Sequence, residues 1–533
     1  MEIALYIIMA VVSAALMTAL AHKLIQILQL SSYRAKGVLT WTRAAKFDYP
    51  IRYAVLTLLS VASTVTFWMA FGEYGFAGYF GFLCFAGFAI AFIIITARQK
   101  NKTPLRVTPR VKRLFAVLSI VNLAVAGGLI WLSTLANISY LLISGAPLLV
   151  YLTVLAAHYI ALPFESLNNR RYYRRAQAKL ASRPNLIKVG ITGSYGKTTV
   201  KNILAAMLAP KYNVCFSPAS FNTPMGIAKV VNYELTNEHE VLIAEMGARR
   251  IGDIKELCRL VVPNISMLTA IGMAHLDTFG SRDNIAKGKY EIIEYMAEGG
   301  LAVFNAEGGA IAPLIDKTGG RKAVSGAKGI GVDCIYDSLK FGPEGCEFEL
   351  HIGGESAPVK TRLLGKHIPS LIAMCAAAAH SLNVPLADIA AACAGLEPIP
   401  HRLQLIKNGN TSILDDAYNS NPDGAAAALE MLSHFEGIKI IVTPGIVEMG
   451  ADEEAVNTEL GRQIAKVGGY AILVGGAGAA RIEHIAAGCS EGGMADDNII
   501  KVNSLNEATA KLAQIEPSAQ RAVLFENDLP DNL

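Results

Sequence analysis

Charge is scarce in this sequence. Asp, Glu, Lys and Arg make up 17% of its 533 residues, against roughly 25% in an ordinary soluble protein. The deficit is deepest in the first third, so it marks that segment above all. A net charge of +4 gives no case for a nucleic-acid partner. Paired cysteines are missing as well. The eight cysteines (Cys84, Cys215, Cys258, Cys334, Cys346, Cys375, Cys393 and Cys489) form no Cys-x-x-Cys. That argues against a zinc ribbon or a disulfide framework and fits reduced thiols in a cytosolic compartment.

The charge-poor third holds five apolar runs, at about 3–20, 53–71, 75–96, 115–135 and 139–162. Each is long enough for a helix to cross a hydrocarbon core of about 30 Å, which takes about 20 residues. The first run resembles the start of a secretory leader. No basic residue precedes it and no small-residue cleavage pattern follows, so it is read as a span. Central charges are absent from all five, with His158 near the end of the last. Ion pathways and proton relays need such charges.

Basic residues sort the loops. Lys23, Arg34, Lys36, Arg43, Lys46 and Arg52 lie between runs one and two, and Arg98, Lys100, Lys102, Arg106, Arg110, Lys112 and Arg113 between runs three and four. The loops near 72–74 and 137–138 have neither Lys nor Arg. Positive loops stay inside, which predicts a multi-pass cell-membrane protein with its N-terminus outside and everything after Leu162 in the cytoplasm. Arg170, Arg171, Arg174, Arg175 and Lys179 then follow, interleaved with Tyr172 and Tyr173. They serve as a positive-inside stop signal or as a seat for anionic headgroups or a phosphorylated lipid, at about 1 kcal/mol per basic residue.

From Leu186 the texture changes to short β-rich runs alternating with Ala-rich helical patterns, which predicts parallel α/β sheets. Strands are expected at 186–192, 241–246, 265–271 and 301–305, then at 411–415, 438–442, 470–474 and 521–525. The expected division is a five-span region 1–162, a basic juxtamembrane linker 163–185, a nucleotide-binding α/β domain 186–400 and a smaller doubly wound domain 401–533.

The strongest local signal is GITGSYGKTTV, from Gly190 to Val200. A glycine-rich turn between strand and helix aims backbone N–H groups at phosphate oxygens. Lys197 would reach the terminal phosphates and the Thr198 hydroxyl would hold Mg²⁺. The strict P-loop pattern fails at Ile191, with Gly190 and Gly193 flanking it. The expected ATP cradle is Gly193, Ser194, Tyr195, Gly196, Lys197, Thr198 and Thr199.

This variant resembles the Mur ligase family, which adds amino acids or dipeptides to the peptidoglycan stem peptide. Further blocks follow in order: IAEMGARRIGDI from Ile243, TAIGMAHLDTFGS from Thr269, NIAKGKYEII from Asn284, then FNAE, LLGKHIPS, HRLQ and LDDAYNSNP. The match runs from about Gly190 to Met449. It implies a central P-loop domain plus a C-terminal Rossmann-like domain behind the membrane helices. It also implies an ATP-dependent acid–amino-acid ligase working through an acyl phosphate, and EMGA with DDAYNSNP points to the branch that adds D-Ala-D-Ala. By resemblance, Thr198, Glu245, His275 and Lys289 hold two Mg²⁺ ions. Lys289 would carry a CO₂-derived carbamate, with Lys287 its rival if the register shifts. Lys197, Glu245, His275 and Lys289 form the catalytic set. Asn305, Arg402, Asp416, Tyr418 and Asn419 contact the nucleotide, and Asn222 lies near the acceptor's phosphate path.

The resemblance has breaks. The soluble members begin with a domain that grips a UDP-sugar, but about 27 residues separate Leu162 from Gly190, too few for a domain. A membrane-associated, lipid-linked muramyl peptide is therefore an expected acceptor beside the UDP-linked one. Of the family's C-terminal block only Glu448, Met449 and Gly450 remain, no late Lys-Gly-Ser appears, and Ser370 stands where an asparagine is expected. A ligase for another polymer, such as poly-γ-glutamate, and a transporter or scaffold with a degenerate ATPase are the competing readings. The charge pattern makes a direct prediction: on intact cells, an impermeant thiol reagent should label Glu73→Cys and spare Lys112→Cys.

Overall fold

Residues 1–170 form one compact unit and residues 171–529 another. The computed structural model describes residues 2–31, 33–44, 48–71, 74–98, 104–136, 141–218, 221–329, 332–418, 421–475 and 479–527. Lys46, Lys100, Lys102, Asn419 and the short loops 72–73 and 137–140 lie outside them.

In the first unit the apolar runs are helices, at Glu2–Leu20, Asp48–Phe71, Tyr74–Ala97, Pro109–Leu135 and Val150–Ala181. By length and composition, five helices suffice to cross a membrane. The fifth begins later than expected, at Val150, after a 3₁₀ stretch over Leu141–Leu149. Pro147 sits in that stretch. It has no N–H to donate and disfavours the α conformation before it. Apolar side chains lie on both sides of these helices, with Met17, Phe85 and Leu118 in a buried core. Ile7, Leu58, Met69, Leu83, Ile120 and Trp131 face outward, while polar pairs sit inside. Asn122 Nδ2 donates to Thr18 Oγ1 at 3.0 Å, and the Tyr53 hydroxyl to the Leu20 carbonyl at 2.8 Å. Glu165, buried just past the fifth expected span, accepts two bonds from Arg113 at 2.6 and 3.0 Å.

In the second unit, β1 (Ile187–Thr192), β2 (Val214–Phe216), β3 (Val241–Glu245), β4 (Ile265–Leu268), β5 (Leu301–Asn305), β6 (Lys322–Ala327), β7 (Cys334–Gly342), β8 (Gly345–Ile352) and β9 (Glu355–Thr361) build one sheet. Its order is β2-β3-β1-β4-β5-β6-β7-β8-β9. Pairing is parallel through β7 and antiparallel for the last two strands. The parallel core strands are apolar on both faces, as burial on both sides demands. β1 lies between β3 and β4, so the chain leaves it where the strand order reverses. Crevices at such switch points receive ligands, and the glycine-rich loop begins there.

A second sheet contains β10 (Gln404–Asn408), β11 (Thr411–Asp416), β12 (Ile438–Thr443), β13 (Tyr470–Val474), β14 (Ile499–Val502) and β15 (Arg521–Glu526). Its order is β10-β11-β15-β12-β13-β14, parallel except for β10. All eight strands expected from sequence are present. Strands β6 and β7, the antiparallel extension β8–β9 and the edge strands β2, β10 and β14 were not anticipated. They are short or half-exposed, and their apolar signal is weak.

The segment 163–185 is helical as far as Ala181. From Arg171 on, one of its faces packs on the second unit. Tyr172, Tyr173, Ala176 and Leu180 join that unit's core, the Tyr173 hydroxyl donates to the Glu256 carbonyl at 3.1 Å, and Lys179 to the Leu235 carbonyl at 2.5 Å. Arg171, Arg174 and Arg175 stay exposed.

Two helices flanking the second sheet, Glu453–Val467 and Ala479–Glu491, touch backbone to backbone. A Cβ on Gly461 would come within 2.1 Å of the Ile485 carbonyl oxygen, and one on Gly488 within 2.0 Å of the Thr458 carbonyl oxygen. Gly488→Ala should therefore destabilise the protein by about 1–3 kcal/mol, the usual cost of overpacking, measurable as a lower midpoint in denaturant.

Candidate functional site

The loop after β1 is built by backbone constraints. Gly196 caps the helix Lys197–Leu208 with φ 78°, a left-handed conformation that favours glycine. At Gly193 a Cβ would lie 1.9 Å from Thr269 Oγ1. The residues after β4 hold the loop from behind. Ser194 N–H donates to the Ala270 carbonyl at 2.8 Å, Gly272 N–H to Ser194 Oγ at 2.9 Å, and Thr269 Oγ1 to the Tyr195 carbonyl at 2.5 Å. Tyr195 packs against Gly272. Burial first, then Asp423, pushes its hydroxyl up to about 12. Thr199 is half-buried in the helix's first turn.

Two lysines converge on one carbonyl. Lys197 Nζ donates to Gly193 O at 2.7 Å and to Ser194 O at 3.3 Å. Lys289 Nζ, from the helix Arg282–Glu294, donates to the same Gly193 O at 3.1 Å. Burial pulls Lys197 down to about 8, with Glu245 opposing and Arg402 adding to the fall. Lys289 is held well below the ordinary lysine range by burial and then by Lys197. Lys287, its rival in the sequence reading, is exposed while Lys289 is 1% exposed.

Glu245 closes β3 and is the hub of the opposite wall. Oε2 accepts from Thr198 Oγ1 at 3.1 Å, and Oε1 from Asn222 Nδ2 at 3.3 Å. Lys201 Nζ lies 3.1 Å from Oε2, with both side chains 2% exposed. The sequence reading missed Lys201. Its signal was available: Lys201 lies three residues after Thr198, so both share a helix face, and its neighbours Val200, Ile203 and Leu204 are core residues.

The remaining candidates form three further groups. Asn305, at the end of β5, points Nδ2 at Ser370 Oγ across 3.5 Å, and its Oδ1 accepts from Glu307 N–H at 3.1 Å. Arg402 stacks over the Tyr418 ring, 4.2 Å from its centroid. Asp416 Oδ1 accepts from Leu403 N–H at 3.1 Å. Burial pushes the Asp416 carboxyl up to about 6 against the pull of Arg402. His275 is joined to Glu448 of the second sheet's domain, Nδ1 to Oε2 2.5 Å. Asn419 lies outside the described residues.

A buried ion pair costs desolvation on both sides, and removing one partner strands the other charge, typically at about 3–5 kcal/mol. Lys201→Met should therefore lower stability by that order. Adding Glu245→Gln should restore part of the loss, and a double-mutant cycle followed by denaturant unfolding reads the coupling.

Two family models match the chain: the Mur ligase middle domain over residues 191–379 and the Mur ligase glutamate ligase domain over 401–525. The chain is 31% identical over 283 residues to the UDP-N-acetylmuramoyl-tripeptide--D-alanyl-D-alanine ligase of Escherichia coli (strain K12), covering 53% of this chain and 62% of that enzyme. It is also 31% identical to the ligase of the same name from Bacillus subtilis (strain 168), covering 52% and 60%. The chain thus spans about three fifths of the length of these curated relatives. Among solved structures, a MurF ligase from Thermotoga maritima in complex with ADP superimposes with TM-score 0.58 at 26% identity, over 68% of this chain and 80% of that one. MurF from Acinetobacter baumannii shares the fold, with TM-score 0.62 at 24% identity over 68% and 77%. Through the middle and C-terminal domains formed by residues 191–525, the chain belongs to the Mur ligase family.

Proposed function

We propose that this chain is an ATP-dependent amide ligase of peptidoglycan precursor synthesis, adding D-Ala-D-Ala or another amino acid or dipeptide to a muramyl peptide. One observation carries the reading: Lys197, Lys289 and the Glu245–Thr198 pair all converge on the turn that leaves β1. The names of the E. coli and B. subtilis relatives support the acceptor and the dipeptide. The ADP held by the T. maritima relative supports the nucleotide.

The proposed chemistry is in-line transfer of the γ-phosphate to the acceptor carboxylate, which yields an acyl phosphate. The amine attacks that carbon and inorganic phosphate leaves. Catalysis of this kind rests on positioning and charge neutralisation. Lys197 is the cation for the moving phosphate, and the loop N–H groups cradle its neighbours. Asn305 would meet the adenine, with Arg402, Asp416 and Tyr418 at the rest of the nucleotide. Asn222, bonded to Glu245, lies where the acceptor would approach.

The donor set fits Mg²⁺, a cation that takes oxygen ligands and phosphate. Thr198 and Glu245 would hold one ion, with His275 and a carbamate on Lys289 serving the second. Bound metal would neutralise phosphate charge. Lys289 suits carbamylation because its buried amine favours the neutral, nucleophilic form. The product would be an anion beside the Lys197 ammonium. The amine has a candidate seat in a cleft of about 300 Å³ lined by Met273, Arg282, Pro422, Ile446, Val456 and Leu460. Its apolar walls suit small side chains. The carrier is proposed to be lipid- or UDP-linked, with the five apolar helices holding the enzyme at the inner face of the cell membrane.

The test is ADP release by the full-length protein in detergent, with UDP-linked and lipid-linked acceptors and a panel of amines that includes D-Ala-D-Ala and glutamate. Lys197→Ala should lower turnover at least about a hundredfold, the scale for losing one transition-state charge contact. Turnover that survives Lys197→Ala would overturn the reading, and glutamate as the preferred amine would redirect it to another polymer. Lys289→Ala should abolish both turnover and a CO₂ adduct on the peptide carrying residue 289, read by mass spectrometry under bicarbonate.

A further inference from the structure

His275 and Glu448 share an uncommon feature. Neither is glycine, yet their φ values are 61° and 63°. Non-glycine residues keep this conformation only where their surroundings over-determine it, and such residues gather at functional sites. These two come from different sheets and meet each other, Nδ1 to Oε2, at 2.5 Å.

The chemistry of that contact is directional. An ionised carboxylate only accepts, so Nδ1 must carry the hydrogen, and in a neutral imidazole Nε2 then carries the lone pair. Metal-bound histidines are commonly oriented this way, with the second nitrogen donating to a carboxylate. We propose that Glu448 is a positioning residue for His275 that fixes its tautomer and ring for metal through Nε2, and so makes the metal site depend on the C-terminal domain. This rests on the reading of His275 as a metal ligand given above.

Both ends of Glu448 are held. Its Oε1 lies 3.6 Å from Arg249 Nη2, in the loop that leaves Glu245, and its carbonyl accepts from Asp277 N–H at 3.3 Å. The loop that presents it is rigid. Asn457, fully buried, accepts from Ile446 N–H at 2.8 Å and donates to the Ile446 carbonyl at 2.9 Å. Asn527 donates to the Gly445 carbonyl at 2.6 Å. A carboxylate on a braced loop, facing the histidine of another domain, gives the two domains a shared element. By linkage, whatever metal gains from the contact, the contact gains from metal.

Mn²⁺ is the probe. The full-length protein is titrated with Mn²⁺ in the presence of a non-hydrolysable ATP analogue, followed by electron paramagnetic resonance, for wild type and for Glu448→Gln, Glu448→Ala, Glu448→Asp and His275→Ala. Wild type should show coupling between Mn²⁺ and an imidazole nitrogen. His275→Ala should abolish that coupling. Glu448→Gln and Glu448→Ala should weaken Mn²⁺ about 10- to 100-fold, the scale for outer-shell partners, and Glu448→Asp should recover part of it. If His275→Ala weakens Mn²⁺ while Glu448→Gln and Glu448→Ala bind it as wild type does, the positioning role is wrong and the metal reading survives. If His275→Ala changes nothing, the ligand assignment falls and this inference with it.

Discussion

The second unit is organised around a buried negative charge. Glu245 ends a central strand with almost no solvent contact and gathers Thr198, Asn222 and Lys201. A carboxylate in that position is tolerated only when paired and hydrogen-bonded. Lys201 supplies the charge, and Thr198 and Asn222 supply hydrogens. The arrangement fixes the first turn of the helix after the glycine-rich loop relative to β3. It therefore fixes the wall against which a nucleotide's phosphates would rest.

Across the loop the balance is opposite. Lys197 and Lys289 both donate to the Gly193 carbonyl. Burial depresses both ammonium groups, with Arg402 adding to the fall at Lys197 and Lys197 adding to it at Lys289. On the proposed function such a site would take anions: phosphate at Lys197, and at Lys289 the change of sign that a carbamate would bring. One wall is charge-compensated by Lys201, and the other holds two lysines on carbonyl oxygens, which ligands would complete on the proposed function. That asymmetry separates a structural ion pair from a site prepared for chemistry.

The first unit follows a different physical rule. Several of its large apolar side chains face outward while Asn122, Tyr53 and Glu165 find partners inside. If these helices lie in lipid, as proposed, a lone polar group there would have no water to turn to, and partners such as these would be favoured. The helix Val150–Ala181 ends within the second unit, where Tyr172, Tyr173 and Lys179 are used as structural contacts while Arg171, Arg174 and Arg175 remain exposed.

Local pattern made much of this legible in the one-dimensional chain. Long apolar runs mark the helices of the first unit because crossing length and hydrophobicity are properties of contiguous residues. The eight principal strands stand out because parallel strands buried on both faces are apolar throughout. The phosphate loop is legible because its glycines answer to backbone geometry within a few residues. The tertiary structure alone decided the rest. Lys201 looks like one more helix lysine until β3, more than forty residues away, brings Glu245 to it. Lys289 separates from Lys287 only when helix rotation turns one inward and leaves the other exposed. His275 and Glu448 lie 173 residues apart, and nothing in either local sequence requires them to meet. Spacing along a chain encodes turns, strands and helices, whereas the pairing of charges across elements is decided by packing, since desolvation and hydrogen bonding depend on what surrounds a group in space.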